Sequence, residues 1–208
     1  MLKILNHPLI DMKLTMMRDK NTDHTNFRKN LNEIASLMVY EILRTYEPKE
    51  IIIQTPIIPN YKGKALDKEI VIVPILRAGL GMTEGILNLV PEARLGHIGM
   101  YRDEITYEPH TYFYKMPNVK KDSYIFIVDP MLATGNSAID AIKKLQENGY
   151  SNIQLVSLVG SPEGVEKINK EFNSKIKIYL ASLDERLDEN NYVVPGLGDA
   201  GDRLFGTK

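Results

Sequence analysis

The stretch from Ile125 to Ala138, IFIVDPMLATGNSA, limits what this chain can fold into more than any other. Ile125 to Val128 is a short, apolar, largely β-branched run, the pattern of a strand buried on both faces. From Ser137 the pattern changes: Ala138, Ile142 and Leu145 recur at i, i+4 and i+7, one face of a helix, and Gly149 stands where that helix should stop. A turn of small and hydroxylated residues joins the two, directly after an acid, Asp129. A strand, a small-residue turn and a helix start make an anion site, because the first amides of a helix lack internal partners and lie at the positive end of its dipole. Gly135 permits backbone angles that curl amides around an oxyanion, and Thr134 and Ser137 can add hydroxyl donors. Ala133 and Gly135 carry no bulk that would keep a phosphate from the main chain. Asp129, at the carboxyl end of a buried strand, sits where open α/β sheets bind ligands and can accept hydrogen bonds from sugar hydroxyls. The turn is not a P-loop, for it lacks Gly-Lys-Ser/Thr, and not a nucleophile elbow, for Ile139 stands where the second Gly is needed.

The rest of the chain supplies similar units. Ile70 to Val73 reads as a second buried strand, followed by Arg77 and a Gly-rich helix start at Gly79. A charge at the end of an apolar strand is costly unless paired, so Arg77 is either an ion-pair partner or a clamp on an anionic group. Ile153 to Val159 is another strand, and Ser161-Pro162-Glu163 opens a helix with a cap, a proline at the first position and an acid in the first turn. Ile176, Ile178 and Leu180 alternate with Lys177 and Tyr179, a half-exposed strand. Repeated strand-helix-strand units predict an α/β fold: a central parallel sheet flanked by helices, with right-handed crossovers, in a single domain over residues 1–208. Near the start, Phe27, Leu31, Ile34, Met38 and Ile42 form an amphipathic stripe that Thr25 could cap and Pro48 limits. His7 reads as a packing or hydrogen-bonding histidine, Arg18 as a surface charge, Ile51 to Ile58 as an edge strand interrupted by Pro56, and Tyr61 to Lys64 as a loop. Residues 98–114, with Tyr101, Tyr107, Tyr112 and Tyr114 around Arg102, Asp103 and Glu104, read as two antiparallel arms with a flexible tip outside the parallel sheet.

The tail from Tyr192 to Gly201 contains a G-x-G-x-x-G string, but only seven residues follow it, too few for the βαβ unit that dinucleotide binding requires. It reads better as a Gly-rich hood, exposing main-chain groups over a small planar ring. Other classes are disfavoured by composition. With 26 Lys plus Arg against 27 Asp plus Glu, the net charge is −1 and no basic nucleic-acid footprint appears. The absence of cysteine excludes disulfides, thiolate metal sites and a Cys nucleophile. No signal peptide or membrane-length apolar run is visible, so a cytoplasmic protein without a membrane partner is expected.

Asp129 to Ser137, DPMLATGNS, resembles the phosphoribosyl pyrophosphate (PRPP) loop of uracil phosphoribosyltransferases. VPILRAGLGM at Val73 to Met82, GMYR at Gly99 to Arg102 and PGLGDAGDRLFGTK at Pro195 to Lys208 agree, and the resemblance runs from His7 to the C-terminus. Position 136 is Asn where that family often has a second Gly, but the amide donor remains. The resemblance implies a type I phosphoribosyltransferase fold with an antiparallel arm near 98–114 and a C-terminal base-binding hood. It implies a pentosyltransferase that converts uracil and PRPP to UMP and pyrophosphate. PRPP would be held by Arg77, Arg102, Asp129, Pro130, Met131, Leu132, Ala133, Thr134, Gly135, Asn136, Ser137 and Asp199, and uracil by Val193, Gly198, Asp199 and Ala200. Arg77, Arg102, Asp129 and Asp199 would be catalytic, with Arg102 on a mobile loop. Mg²⁺ would bind through PRPP oxygens and water, with no direct protein ligand. GTP, an activator in some members of the family, is a candidate partner, as is a second copy of the chain in a homodimer or larger homo-oligomer. Two rivals stay open at this point: an RNA-binding regulator on the same fold, and a phosphoribosyltransferase for another base.

Overall fold

A computed structural model of the chain describes residues 1–102 and 109–207. In chain order the elements are β1 (Leu2–Ile4), α1 (Pro8–Arg18), α2 (His24–Leu43), β2 (Lys49–Ile53), β3 (Tyr61–Ala65), β4 (Ile70–Leu76), α3 (Leu80–Leu89), β5 (Arg94–Leu95) and β6 (His97–Arg102). Then follow β7 (Pro109–Lys115), β8 (Tyr124–Leu132), α4 (Asn136–Glu147), β9 (Ile153–Gly160), α5 (Pro162–Glu171), β10 (Lys177–Leu183), β11 (Arg186–Leu187), β12 (Val193–Val194) and α6 (Ala200–Phe205).

The main sheet runs in the order β1-β10-β9-β8-β4-β6-β7, with β5 also paired to β4. Every pair is parallel except β6 with β7. The apolar runs read as doubly buried strands are that. Their period of two sorts side chains to opposite faces. Phe126 and Val128 pack under α1 and α2, while Ile125 and Ile127 pack under α4 and α5. Phe27, Leu31, Ile34, Met38 and Ile42 are all fully buried along α2. Each such burial contributes about 1.5–3 kcal/mol. Helix α3 lies close against α2 because Gly85 has no side chain: a Cβ there would fall 2.0 Å from the Asn32 carbonyl oxygen.

Several sequence expectations are corrected. The cap of α2 is Asp23, whose carboxylate accepts from the Asn26 amide at 2.8 Å, rather than Thr25. Tyr61 to Lys64 is strand rather than loop. It pairs antiparallel with β2, Ile51 opposite Gly63, in a separate two-stranded sheet, so β2 is not an edge of the main sheet. Strand β10 is buried on both faces, not half-exposed, because Tyr179 packs into the cluster that α2 covers. The antiparallel arm exists, with Tyr101 stacked on His110 across the strands at 5.4 Å. It does not stand outside the sheet: Ile98 and Gly99 pair with Ile75 and Leu76 of β4, so the arm continues the sheet's edge. Tyr107, Asp103, Glu104 and the tip itself lie outside the described residues. Arg18 is not a free surface charge but forks onto Asp184, 166 residues away. His7 caps α1 by accepting from the Leu9 amide, in line with the hydrogen-bonding reading.

Candidate active site

The parallel strands deliver their carboxyl ends to one edge of the sheet, and the residues singled out above gather there. Gly135 adopts φ +79°, a left-handed conformation that glycine takes without steric cost, and turns the chain from β8 into α4. No side chain caps α4, so its first amides remain open to an anion. Neither Thr134 nor Ser137 has a hydroxyl partner among the described residues, leaving both free to donate. The Asn136 side chain is engaged away from the turn, its carbonyl oxygen accepting from Lys167 Nζ of α5. The turn is braced from beneath by Ser161, the cap of α5. Its hydroxyl donates to the Ala133 carbonyl at 2.7 Å and accepts from the Gly164 amide at 2.9 Å.

Two cavities adjoin on this edge. One, about 80 Å³, is lined by Asp129 and Met131 through Ala138 with Leu155 and Ser157 behind them. The other, about 250 Å³, is lined by Ala78, Asp129, Met131, Ala133 and the tail residues Asn191 to Val193 and Gly198 to Gly201. Asp129, Met131 and Ala133 belong to both walls. Burial pushes the Asp129 carboxyl up to about 7, against a lowering contribution from the Met131 amide that it accepts. Asp199 lines the larger cavity and also caps α6 by accepting from the Asp202 amide at 2.9 Å. Val193 and Ala200 are buried beside it, and Gly198 presents main chain at φ +76°. Pro130 is buried within β8 and lines neither cavity.

Arg77 follows β4 directly, next to Ala78 of the larger cavity. It is exposed, its guanidinium lies 5.7 Å over the Phe205 ring, and it pairs with no acid among the described residues. Arg102 is the last residue of β6; its side chain lies outside the described residues. Sequence reasoning missed Ser157, whose buried hydroxyl has no partner and faces the smaller cavity. The available signal was a lone hydroxyl within the apolar run IQLVSLVG. A larger cavity, about 860 Å³, opens at the amino ends of β4 and β8. Its charges are partly spent on each other, Lys68 with Asp122 at 3.3 Å and Arg94 with Glu69 at 3.0 Å. It also faces away from the edge where parallel sheets bind ligands.

A family model described as uracil phosphoribosyltransferase matches residues 4–207. A uracil phosphoribosyltransferase from Mycoplasma mobile is 62% identical over 208 residues, covering 100% of both chains. Among solved structures, the AQ2163 protein from Aquifex aeolicus matches at TM-score 0.92 and 38% identity, over 100% of this chain and 99% of that one. An adenine phosphoribosyltransferase from Trypanosoma brucei shares the fold at TM-score 0.58 and 12% identity, over 88% of this chain and 83% of that one. The fold is thus that of the type I phosphoribosyltransferases. Within that class, the chain belongs to the uracil phosphoribosyltransferase family.

Proposed function

We infer that this chain, as one phosphoribosyltransferase domain, transfers the 5-phosphoribosyl group of PRPP to uracil, giving UMP and pyrophosphate in pyrimidine salvage. One observation supports the assignment of residues: the two cavities share Asp129, Met131 and Ala133, which favours an order of 5′-phosphate, ribose and base from the turn to the tail. The amides and hydroxyls of Ala133 to Ser137 hold the 5′-phosphate, with Ser157 offering a further buried donor beneath. Asp129 accepts from ribose hydroxyls. Uracil lies under Val193 and Gly198 to Ala200, with Asp199 orienting base and PRPP.

In the reaction the bond from the anomeric carbon to pyrophosphate breaks ahead of formation of the bond to uracil N1, whose proton passes to the departing pyrophosphate or to water. The sugar carries cationic character between the two events, so no protein nucleophile is needed. Positioning and electrostatics provide the rate. Arg77 and Arg102 stabilise the departing pyrophosphate, the guanidinium fork being suited to phosphate oxygens. Asp199, a carboxylate on the wall of the larger cavity, would fit the water shell of a Mg²⁺ ion carried in on PRPP. Bound there, the ion would offset pyrophosphate charge.

The same reading takes the protein as cytoplasmic; no helix among the described residues is long and apolar enough to cross a membrane. It takes the working form as a homodimer or larger homo-oligomer, supported by the exposed apolar side chains Ile52, Ile53, Ile57 and Ile58 near the β2–β3 hairpin. GTP as an activator rests on the family resemblance alone. Incubation with radiolabelled uracil, PRPP and Mg²⁺, with and without GTP, tests the assignment. Labelled UMP and stoichiometric pyrophosphate are expected; no UMP under either condition would overturn it.

A further inference from the structure

We propose that Arg18 and Asp184, which line neither cavity, are positioning residues for base selection, holding the hood's main chain in the shape that reads the ring. This rests on the reading of Val193 and Gly198 to Ala200 as the uracil site.

The chain approaches the hood through β12 and must reverse at Gly196, where φ is +61° and a Cβ would fall 2.0 Å from the Val193 carbonyl oxygen. Both main-chain polar groups of Gly196 are taken by one ion pair. Its amide donates to Asp184 Oδ2 at 2.9 Å, and its carbonyl accepts from Arg18 Nη1 at 2.5 Å. The pair itself is a two-pronged fork, Arg18 Nη1 to Oδ2 at 2.8 Å and Nη2 to Oδ1 at 2.6 Å. Ser182 Oγ adds a fourth donor to the carboxylate at 2.8 Å. Burial alone would push the Asp184 carboxyl up, but these donors outweigh it and hold the group below its usual range. From the other side Arg203 donates to the Leu197 carbonyl at 2.9 Å and to the Asp19 carbonyl at 2.6 Å, anchoring the next residue of the hood to the end of α1.

A half-buried ion pair is weak evidence for stability, since desolvation offsets much of its attraction. What it does supply is direction. The planar fork grips both carboxylate oxygens and the Gly196 carbonyl in one fixed geometry, which a rotatable ammonium does not impose, so the pair fixes Gly196 in both position and orientation. Gly198 is two residues further on. A hood that recognises its ring through main-chain groups has no side chain to readjust, so any drift at Gly196 passes directly to the donors and acceptors that meet the base.

The test uses the full chain and the variants Arg18→Lys, Arg18→Met and Asp184→Asn, each checked for fold by circular dichroism. Steady-state constants are measured for uracil, cytosine and PRPP. Ala200→Val, which adds bulk within the hood itself, serves as the reference for the site. For the folded variants the KM for uracil should rise about tenfold or more and the uracil-to-cytosine ratio of kcat/KM should fall by a similar factor, about 1.4 kcal/mol. The KM for PRPP should stay within about twofold. If Arg18→Met does not fold, Arg18→Lys, which keeps the charge but not the fork, decides the matter. Equal losses toward PRPP and uracil, or an unchanged base ratio, would overturn the proposal while Ala200→Val still weakens uracil. If Ala200→Val also leaves uracil unaffected, the hood reading fails and takes the proposal with it.

Discussion

Asp129 of β8 and Ser157 of β9 are paired in register on neighbouring parallel strands, and both line the small cavity at the β8–α4 turn. The serine hydroxyl is fully buried without a partner, and the acid is raised to about 7 by the burial that surrounds it. This is stability set aside at a site. Below the ordinary aspartate value of 3.8 the Asp129 carboxyl is protonated in both folded and unfolded chains. From there to about 7 the unfolded chain ionises while the folded chain keeps its proton, so the folded state loses stability as pH rises through this window and no more above it. Asp129→Asn removes the ionisation. Its stability relative to the parent should therefore increase between pH 4 and pH 7 by an amount on the order of a few kcal/mol, read from urea unfolding at each pH. A difference that does not change with pH would contradict the buried-acid account.

Ser161 links the β8–α4 turn to α5 through two hydrogen bonds of one hydroxyl. Ser161→Ala leaves the Gly164 amide and the Ala133 carbonyl each short of a partner. It should cost about 1–3 kcal/mol in chemical unfolding. A loss below about 0.5 kcal/mol would show that the brace is dispensable.

Gly135 carries the left-handed turn, and a Cβ there would lie 3.0 Å from the Gly164 carbonyl oxygen. Gly135→Ala should cost about 1–2 kcal/mol of stability. It should also weaken PRPP by about tenfold, because the strained turn no longer presents its amides together. Calorimetric titration of PRPP into the folded variant checks this; unchanged affinity would remove Gly135 from the cradle.

Much of this was legible because it is local. The strand-turn-helix from Ile125, the Ser161-Pro162-Glu163 start and the α2 stripe depend on spacing that one segment carries by itself. What escaped depends on distant partners. Arg18 resembles any surface arginine until the fold brings Asp184 to it across 166 residues. Tyr61 to Lys64 carries no strand signal of its own and becomes a strand because Ile51 to Ile53 offers an unpaired edge. Tyr179 reads as solvent-facing until α2 covers it. Within the site, the acid and the turn were legible, while the unpartnered hydroxyl of Ser157 and the bracing hydroxyl of Ser161 come from the next strand and the next helix.

Arg102 ends the arm that extends the sheet edge. If it meets pyrophosphate mainly in the transition state, Arg102→Ala lowers kcat by about 10²-fold or more while raising the KM for PRPP far less. Pre-steady-state and steady-state assays together separate the two. Unchanged kcat would return Arg102 to an ordinary surface role.

The central claim is that main-chain groups of the hood choose the base. The tail lines the cavity with Asn191, Tyr192, Val193, Gly198, Asp199, Ala200 and Gly201, so from Val193 onward the acid is the one polar side chain, and on the reading proposed above recognition there would fall to backbone N–H and C=O. An N–H donating to uracil O4 and a C=O accepting from N3–H would both be mismatched by cytosine. Each buried group left unpaired costs about 1–3 kcal/mol. The most direct measurement is competition between uracil and cytosine at fixed PRPP, with 5-fluorouracil as a third base. The kcat/KM for uracil should exceed that for cytosine by at least about 10³, and 5-fluorouracil, which keeps both groups, should be used well. Comparable turnover of cytosine, or rejection of 5-fluorouracil, would contradict the account.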